Sequence, residues 1–208
     1  MKSNNDIAGY GLVRSLRWTD GELYFLDQTK LPIEVIEERQ DSVEQVWDSI
    51  KLLKVRGAPA IGVGAAYGLL VGIKAQASQA LPSYLAHIEK TADYLNSSRP
   101  TAVNLSWALK RMVAFAQASV KAGAAKDSPS LYRLLVEEAV RIHEEDKAIC
   151  RAIGENGVGL IGEGKGVLTH CNAGALATSE LGTATAPMYL AHSKGTKFRI
   201  YSDETRPL

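Results

Sequence analysis

The apolar positions of this chain change their period several times, and each change predicts an element. Near the N-terminus they come in short runs. Ser15-Leu16-Arg17-Trp18 is followed by Thr19-Asp20-Gly21 and then Leu23-Tyr24-Phe25-Leu26. Two short strand-forming runs around an Asp-Gly step read as a hairpin. Pro32 opens a further extended run over 33–36. From Ser42 the period becomes helical, with Val43, Val46, Trp47, Ile50 and Leu53 on one face. Ser42 with Gln45 three residues on is a capping-box start. Arg56-Gly57-Ala58-Pro59 breaks that helix.

The next run, 57–73, carries no charge, and Gly64, Gly68 and Gly72 recur in it. Such small-xxx-small spacing occurs in packed membrane helices. The run is shorter than the roughly 20 residues a span needs, and its glycines and Pro59 dilute its hydrophobicity. The expectation is a buried, close-packed helix of a soluble protein. Further helices are predicted over 81–95 and 103–118, with a loop at 96–101 between them. The Gly/Ala/Ser/Pro stretch 121–130 is the linker candidate. Ser128 is expected to cap the following helix with Pro129 in its first turn, and Gly154 to end it.

The pattern then changes. An apolar strand at 167–169, a turn at Cys171-Asn172-Ala173-Gly174, a small-residue helix over 177–191, a break at Lys194-Gly195 and a strand at 198–201 make a βαβ unit, the start of a parallel sheet. Two parallel strands do not make a stable covered sheet. The rest of an α/β domain is therefore expected outside this chain or on another one. The division expected is 1–125, helical with short strands, and 126–208, a linking helix and the first βαβ unit.

Composition narrows the function classes. The 208 residues carry 24 Lys and Arg against 23 Asp and Glu, a net charge of +1. No general field favours nucleic acid or an anionic membrane, so any anion must be held by local geometry. Two cysteines, Cys150 and Cys171, suit a reducing compartment. The polar Met1–Gly9 lacks a signal-peptide core, which points to the cytoplasm.

Cys171 is the strongest chemical candidate. It follows the first parallel strand, at the carboxyl edge where open α/β sheets bind ligands. Amides of the turn that follows, Gly174 included, would face an anion, and a helix start there would favour the thiolate. The alternative is a small packed cysteine. Arg56 lies in a glycine-flanked helix break, suited either to phosphate or to capping the preceding carbonyls. Arg99, held extended by Pro100, is a second anion contact or a surface arginine. His170 reads as a packed or hydrogen-bonded histidine. Asp203 and Glu204 end the second strand at the ligand edge. Gly157-x-Gly159-x-x-Gly162 matches the dinucleotide fingerprint but precedes its strand, so the mechanism of that motif fails. His143, Asp146 and Cys150 share a helix face and are weak metal candidates; no metal site is expected.

Four stretches together resemble one family. Arg56-Gly57-Ala58-Pro59-Ala60-Ile61-Gly62, Ser98-Arg99-Pro100-Thr101-Ala102-Val103-Asn104-Leu105, Thr169-His170-Cys171-Asn172-Ala173-Gly174 and Asp203-Glu204-Thr205-Arg206-Pro207 are similar to S-methyl-5-thioribose-1-phosphate isomerases. The resemblance implies an α/β protein. Its N-terminal domain would be mainly helical with a small antiparallel sheet, followed by the start of a Rossmann-like parallel-sheet domain. It implies a homodimer without cofactor, and an aldose–ketose isomerisation of a sugar phosphate in methionine salvage. It assigns substrate binding to Arg56, Gly57, Ala58 and Arg99 and catalysis to Cys171, with Asn172, Ala173, Gly174 and Asp203 lining the site. The family's catalytic aspartate, a glutamine and an asparagine–lysine pair lie downstream of the last motif, so half of the site is expected here, on a fragment of a longer isomerase. Sister readings are a ribose-1,5-bisphosphate isomerase and a non-catalytic regulatory subunit of the translation-initiation exchange factor.

Overall fold

A computed structural model describes residues 12–203. The polar Met1–Gly9 segment and Glu204-Thr205-Arg206-Pro207 lie outside the described residues. The fold is mixed α/β. Strands β1 (Leu16–Thr19), β2 (Glu22–Leu26) and β3 (Glu37–Gln40) form an antiparallel sheet in the order 1-2-3. The β1–β2 turn is the Asp20-Gly21 step, with φ of 53° and 75°, the pair of positive values a tight hairpin needs. The extended run expected at 33–36 is not a strand. Strand β3 begins at Glu37, and Ile33 and Val35 are exposed.

Helices α1 (Val43–Lys51), α2 (Ala58–Ile73), α3 (Leu81–Asn96), α4 (Val103–Lys121) and α5 (Ser128–Gly157) follow. At the start of α1 Ser42 Oγ accepts from Gln45 N, while Gln45 Oε1 accepts from Asp41 N. The cap is real, with its return bond one residue earlier than the pattern suggests. Helix α2 is the hub of the core. Together with the 3₁₀ turn Lys74–Gln76 it is long and apolar enough to cross a membrane by composition, yet its residues are mostly buried among α1, α3, α4, α5 and the hairpin. Its glycines let neighbours in. A Cβ at Gly68 would fall 2.5 Å from Val46 Cγ1, and one at Gly72 2.7 Å from Thr91 Cγ2.

Two boundaries of α5 differ from expectation. Asp127, not Ser128, is the N-cap, exchanging bonds with Ser130. Gly154 does not stop the helix. It is buried where α6 (Ala186–Ser193) crosses, and a Cβ there would meet Leu190 Cδ1 at 2.8 Å. Gly157, first of the fingerprint glycines, likewise packs against Pro187.

Strands β4 (Gly166–Thr169) and β5 (Arg199–Ser202) pair in parallel, Gly166 opposite Arg199. They form the uncovered two-strand sheet expected, with Leu168, Ile200 and Tyr201 exposed. The single helix expected over 177–191 is a correction. Only a 3₁₀ turn, Ala175–Ala177, precedes an irregular stretch, and α6 starts at Ala186.

Candidate active site

The Arg56 loop joins α1 to α2. Val55 is buried and anchors it. Gly57 is the N-cap of α2 with φ 92°, a value that disfavours any residue with a Cβ. The cap has no side-chain hydrogen bond, and Pro59 sits in the first turn. Arg56 is half-buried, and among the described residues its guanidinium has no hydrogen-bond or ion-pair partner. It does not cap the carbonyls of α1.

The Arg99 loop joins α3 to α4. Buried Ser98 bonds its Oγ to Leu95 O at 2.7 Å, and Arg99 O accepts from Ala102 N at 2.9 Å. Arg99 too is half-buried and has no partner among the described residues. Gly62 brings the starts of α2 and α4 together, since a Cβ there would lie 3.0 Å from Asn104 O. Arg56 and Arg99 therefore each lie just ahead of the first turn of one of two helices packed against each other.

Cys171 lies just beyond β4, exposed, free of any disulfide, with φ 65°. A non-glycine residue held in the left-handed region costs about 1–3 kcal/mol and persists only where its surroundings impose it. The loop behind it supplies that constraint. Ala173 O accepts from Thr183 N at 2.9 Å and from Thr185 Oγ1 at 3.1 Å. Asn172 and Gly174 line a cavity of about 320 Å³ with Leu176 and Tyr189; neither arginine lines it. Because the helix expected behind Cys171 is a single 3₁₀ turn, a full helix start does not face this thiol.

The 175–178 turn bridges this region to the N-terminal part. A Cβ at Gly57 would fall 2.4 Å from both Cα and Cβ of Ala177. Ser15 Oγ donates to Thr178 O at 3.2 Å, and Gln28 Nε2 donates to Leu176 O at 2.9 Å. Neither residue belongs to a motif of the sequence. Their one signal is polarity beside strands β1 and β2.

His170 is exposed, not packed, and its Nδ1 contacts Asp203 Oδ2 across the ends of β4 and β5. The helix-face trio has other work. Asp146 Oδ2 accepts from Ser179 N at 2.8 Å. Cys150 is buried against Thr178, and burial pushes its thiol up to about 11. His143 faces Tyr67, with Nδ1 and the Tyr67 hydroxyl 3.0 Å apart, and burial takes its pKa down to about 4. Among the described residues no group of three or more His, Cys, Asp or Glu is placed to hold a metal.

The mixed α/β scaffold, in which the Gly57 helix start packs against the 175–178 turn beyond Cys171, defines the fold class, and comparison with known proteins agrees on that fold. The sequence model of the Initiation factor 2 subunit family matches residues 54–208. The chain belongs to that family. Among curated relatives it is 48% identical over 199 residues to a 5-deoxyribose 1-phosphate isomerase of Moorella thermoacetica, covering 96% of this chain and 56% of the relative. It is 52% identical over 192 residues to a Bacillus cereus protein of the same name, covering 92% and 54%. The chain thus spans just over half the length of these relatives. Among solved structures it is similar to the translation initiation factor eIF-2B subunit delta from A. fulgidus, with TM-score 0.82, 38% identity and coverage of 94% and 56%. It is also similar to the 5-methylthioribose 1-phosphate isomerase of Pyrococcus horikoshii, with TM-score 0.81, 30% identity and coverage of 94% and 61%.

Proposed function

We propose that this chain carries the phosphate-binding and thiol-bearing part of an aldose–ketose isomerase acting on a pentose 1-phosphate without a hydroxyl at carbon 5. S-methyl-5-thioribose 1-phosphate is the substrate the sequence motifs favour. 5-deoxyribose 1-phosphate is the one in the names of the curated relatives. Both lack the 5-hydroxyl, so they share the proposed chemistry. The reading includes a cytoplasmic homodimer and no cofactor, because hydrogen moves within one substrate and no outside electron acceptor is required.

The observation that supports it is the seating of Ala177 against Gly57, which sets the Cys171 turn beside the Arg56 loop. Arg56, with Gly57 and Ala58 at the start of α2, takes the phosphate, and Arg99 adds a second guanidinium. Phosphate on the anomeric oxygen locks the ring, so ring opening must be assisted before hydrogen passes from C2 to C1. Cys171 stabilises charge at those carbons or shuttles the proton.

Phosphorus NMR tests this. The 208-residue chain is compared with a chimera continued by the remaining part of the Moorella thermoacetica relative. Substrates are the two 5-deoxy sugars and ribose 1,5-bisphosphate. Turnover of a 5-deoxy sugar by the chimera supports the proposal. Exclusive turnover of the bisphosphate moves the reading to the sister isomerase, and no turnover moves it to a regulatory subunit.

A further inference from the structure

Gln28 is a buried polar side chain, 3% exposed, in the segment just after β2. Its two ends hold the two halves of the candidate site. Its backbone N donates to Lys54 O at 2.9 Å, two residues before Arg56. Its side-chain Nε2 donates to Leu176 O at 2.9 Å, five residues after Cys171 and 148 positions away in sequence. The residue itself is fixed from behind. Asp27, also buried, accepts from Thr29 N at 2.9 Å and from Thr29 Oγ1 at 2.6 Å, and Lys54 Nζ reaches Asp27 and Glu38. Leu26 N donates to Ser15 O, and Ser15 Oγ donates to Thr178 O, two residues along the same turn from Leu176.

Resting on the isomerase reading, we infer that Gln28 is a positioning residue: it fixes the orientation of the Cys171 turn against the phosphate-binding Arg56 loop. Gly57 against Ala177 is an apolar contact between small groups and fixes how near the turn comes, but not its rotation. Directional hydrogen bonds to two of its carbonyls, Leu176 O from Gln28 and Thr178 O from Ser15, fix rotation. Gln28 reaches one loop through its backbone N–H and the other through its buried side-chain amide, and a buried amide is hard to replace because its polar groups must find partners. Ser15 contributes a second bond to the same turn but, among the described residues, has no hydrogen bond to the Arg56 loop, whereas Gln28 bonds both.

The test uses Gln28→Ala and Gln28→Glu. Hydrogen exchange on the 208-residue chain reads positioning without requiring turnover. Gln28→Ala should speed exchange in the 171–178 peptide about fivefold, the effect of one lost hydrogen bond, with the α2 and α4 core peptides unchanged. Turnover is read in the chimera. A turn moved relative to an anchored phosphate should lower kcat about 10- to 100-fold with KM nearly constant. Gln28→Glu keeps the shape but sets a carboxylate oxygen against Leu176 O. When protonated, the acid donates to that oxygen again. Its kcat should therefore recover relative to the parent as pH falls from about 8 to about 6, a rescue that a merely destabilised fold would not show. Unchanged exchange at 171–178, or an unchanged kcat in an active chimera, overturns the role of Gln28. A parent chimera without turnover, in contrast, overturns the isomerase reading and leaves the exchange result to decide the tether.

Discussion

Gly57 and Ala177 are packed so closely that no side chain fits between them: a Cβ on Gly57 would sit 2.4 Å from the Ala177 α-carbon. Gly57 also has φ 92°. Gly57→Ala therefore adds backbone strain to a clash. It should destabilise the chain by about 2–4 kcal/mol, read by urea denaturation. Ala58→Gly, one residue on and exposed, should cost less than about 1 kcal/mol.

The two cysteines should behave oppositely. Cys171 is exposed, whereas Cys150 is buried with its thiol pushed up to about 11. Iodoacetamide at neutral pH should modify Cys171 alone, as mass spectrometry of the digested protein would show. Cys171→Ala in an active chimera should lower kcat by about 10²–10⁴. A loss under about tenfold would remove Cys171 from the chemistry.

The two arginines should show a binding signature. Neither guanidinium has a partner among the described residues, so Arg56→Ala and Arg99→Ala should leave the melting temperature almost unchanged. Each should raise KM for a sugar 1-phosphate; Arg99→Ala should do so with little change in kcat. An unchanged KM would take that arginine out of the phosphate site.

His143 should make the fold acid-sensitive. Burial, then Lys147 and Arg14, lower its pKa to about 4, with Glu144 opposing. The unfolded chain binds this proton near pH 6.5 and the folded chain only near 4. Its stabilising contribution is thus complete above about pH 6.5 and is lost as pH falls toward about 4, up to about 3 kcal/mol. His143→Gln, which retains a hydrogen-bond partner for Tyr67, should flatten the urea midpoint across that window.

What was legible in the sequence was local. The Asp20-Gly21 hairpin, the Ser42 cap, the Gly57 break and the apolar run of α2 each follow from a few neighbouring residues. Strand β3 was missed because Glu37-Glu38-Arg39-Gln40 is polar throughout; it pairs only with β2 along the sheet edge and needs no apolar face. The apolar residues at 33–36 drew the strand four positions early. The stretch 178–185 read as helix because its residues are small. It is instead held by bonds from distant elements: Asp146 to Ser179 N, Arg151 to Glu180, Ser15 to Thr178 O. Periodicity carries no trace of such bonds. The candidate residues Arg56, Arg99 and Cys171 were visible as motifs, but the Gln28 bond to Leu176 O, which ties one loop to the other, was not.

We propose that the Arg56 loop and the Cys171 turn are one site. Iodoacetamide labelling of Cys171 in the 208-residue chain tests it, with and without 5-deoxyribose 1-phosphate. Labelling should slow as the sugar phosphate is added, ribose without phosphate should have no effect, and Arg56→Ala should abolish the protection. Equal labelling rates with and without the sugar phosphate, or protection that survives Arg56→Ala, would contradict a shared site.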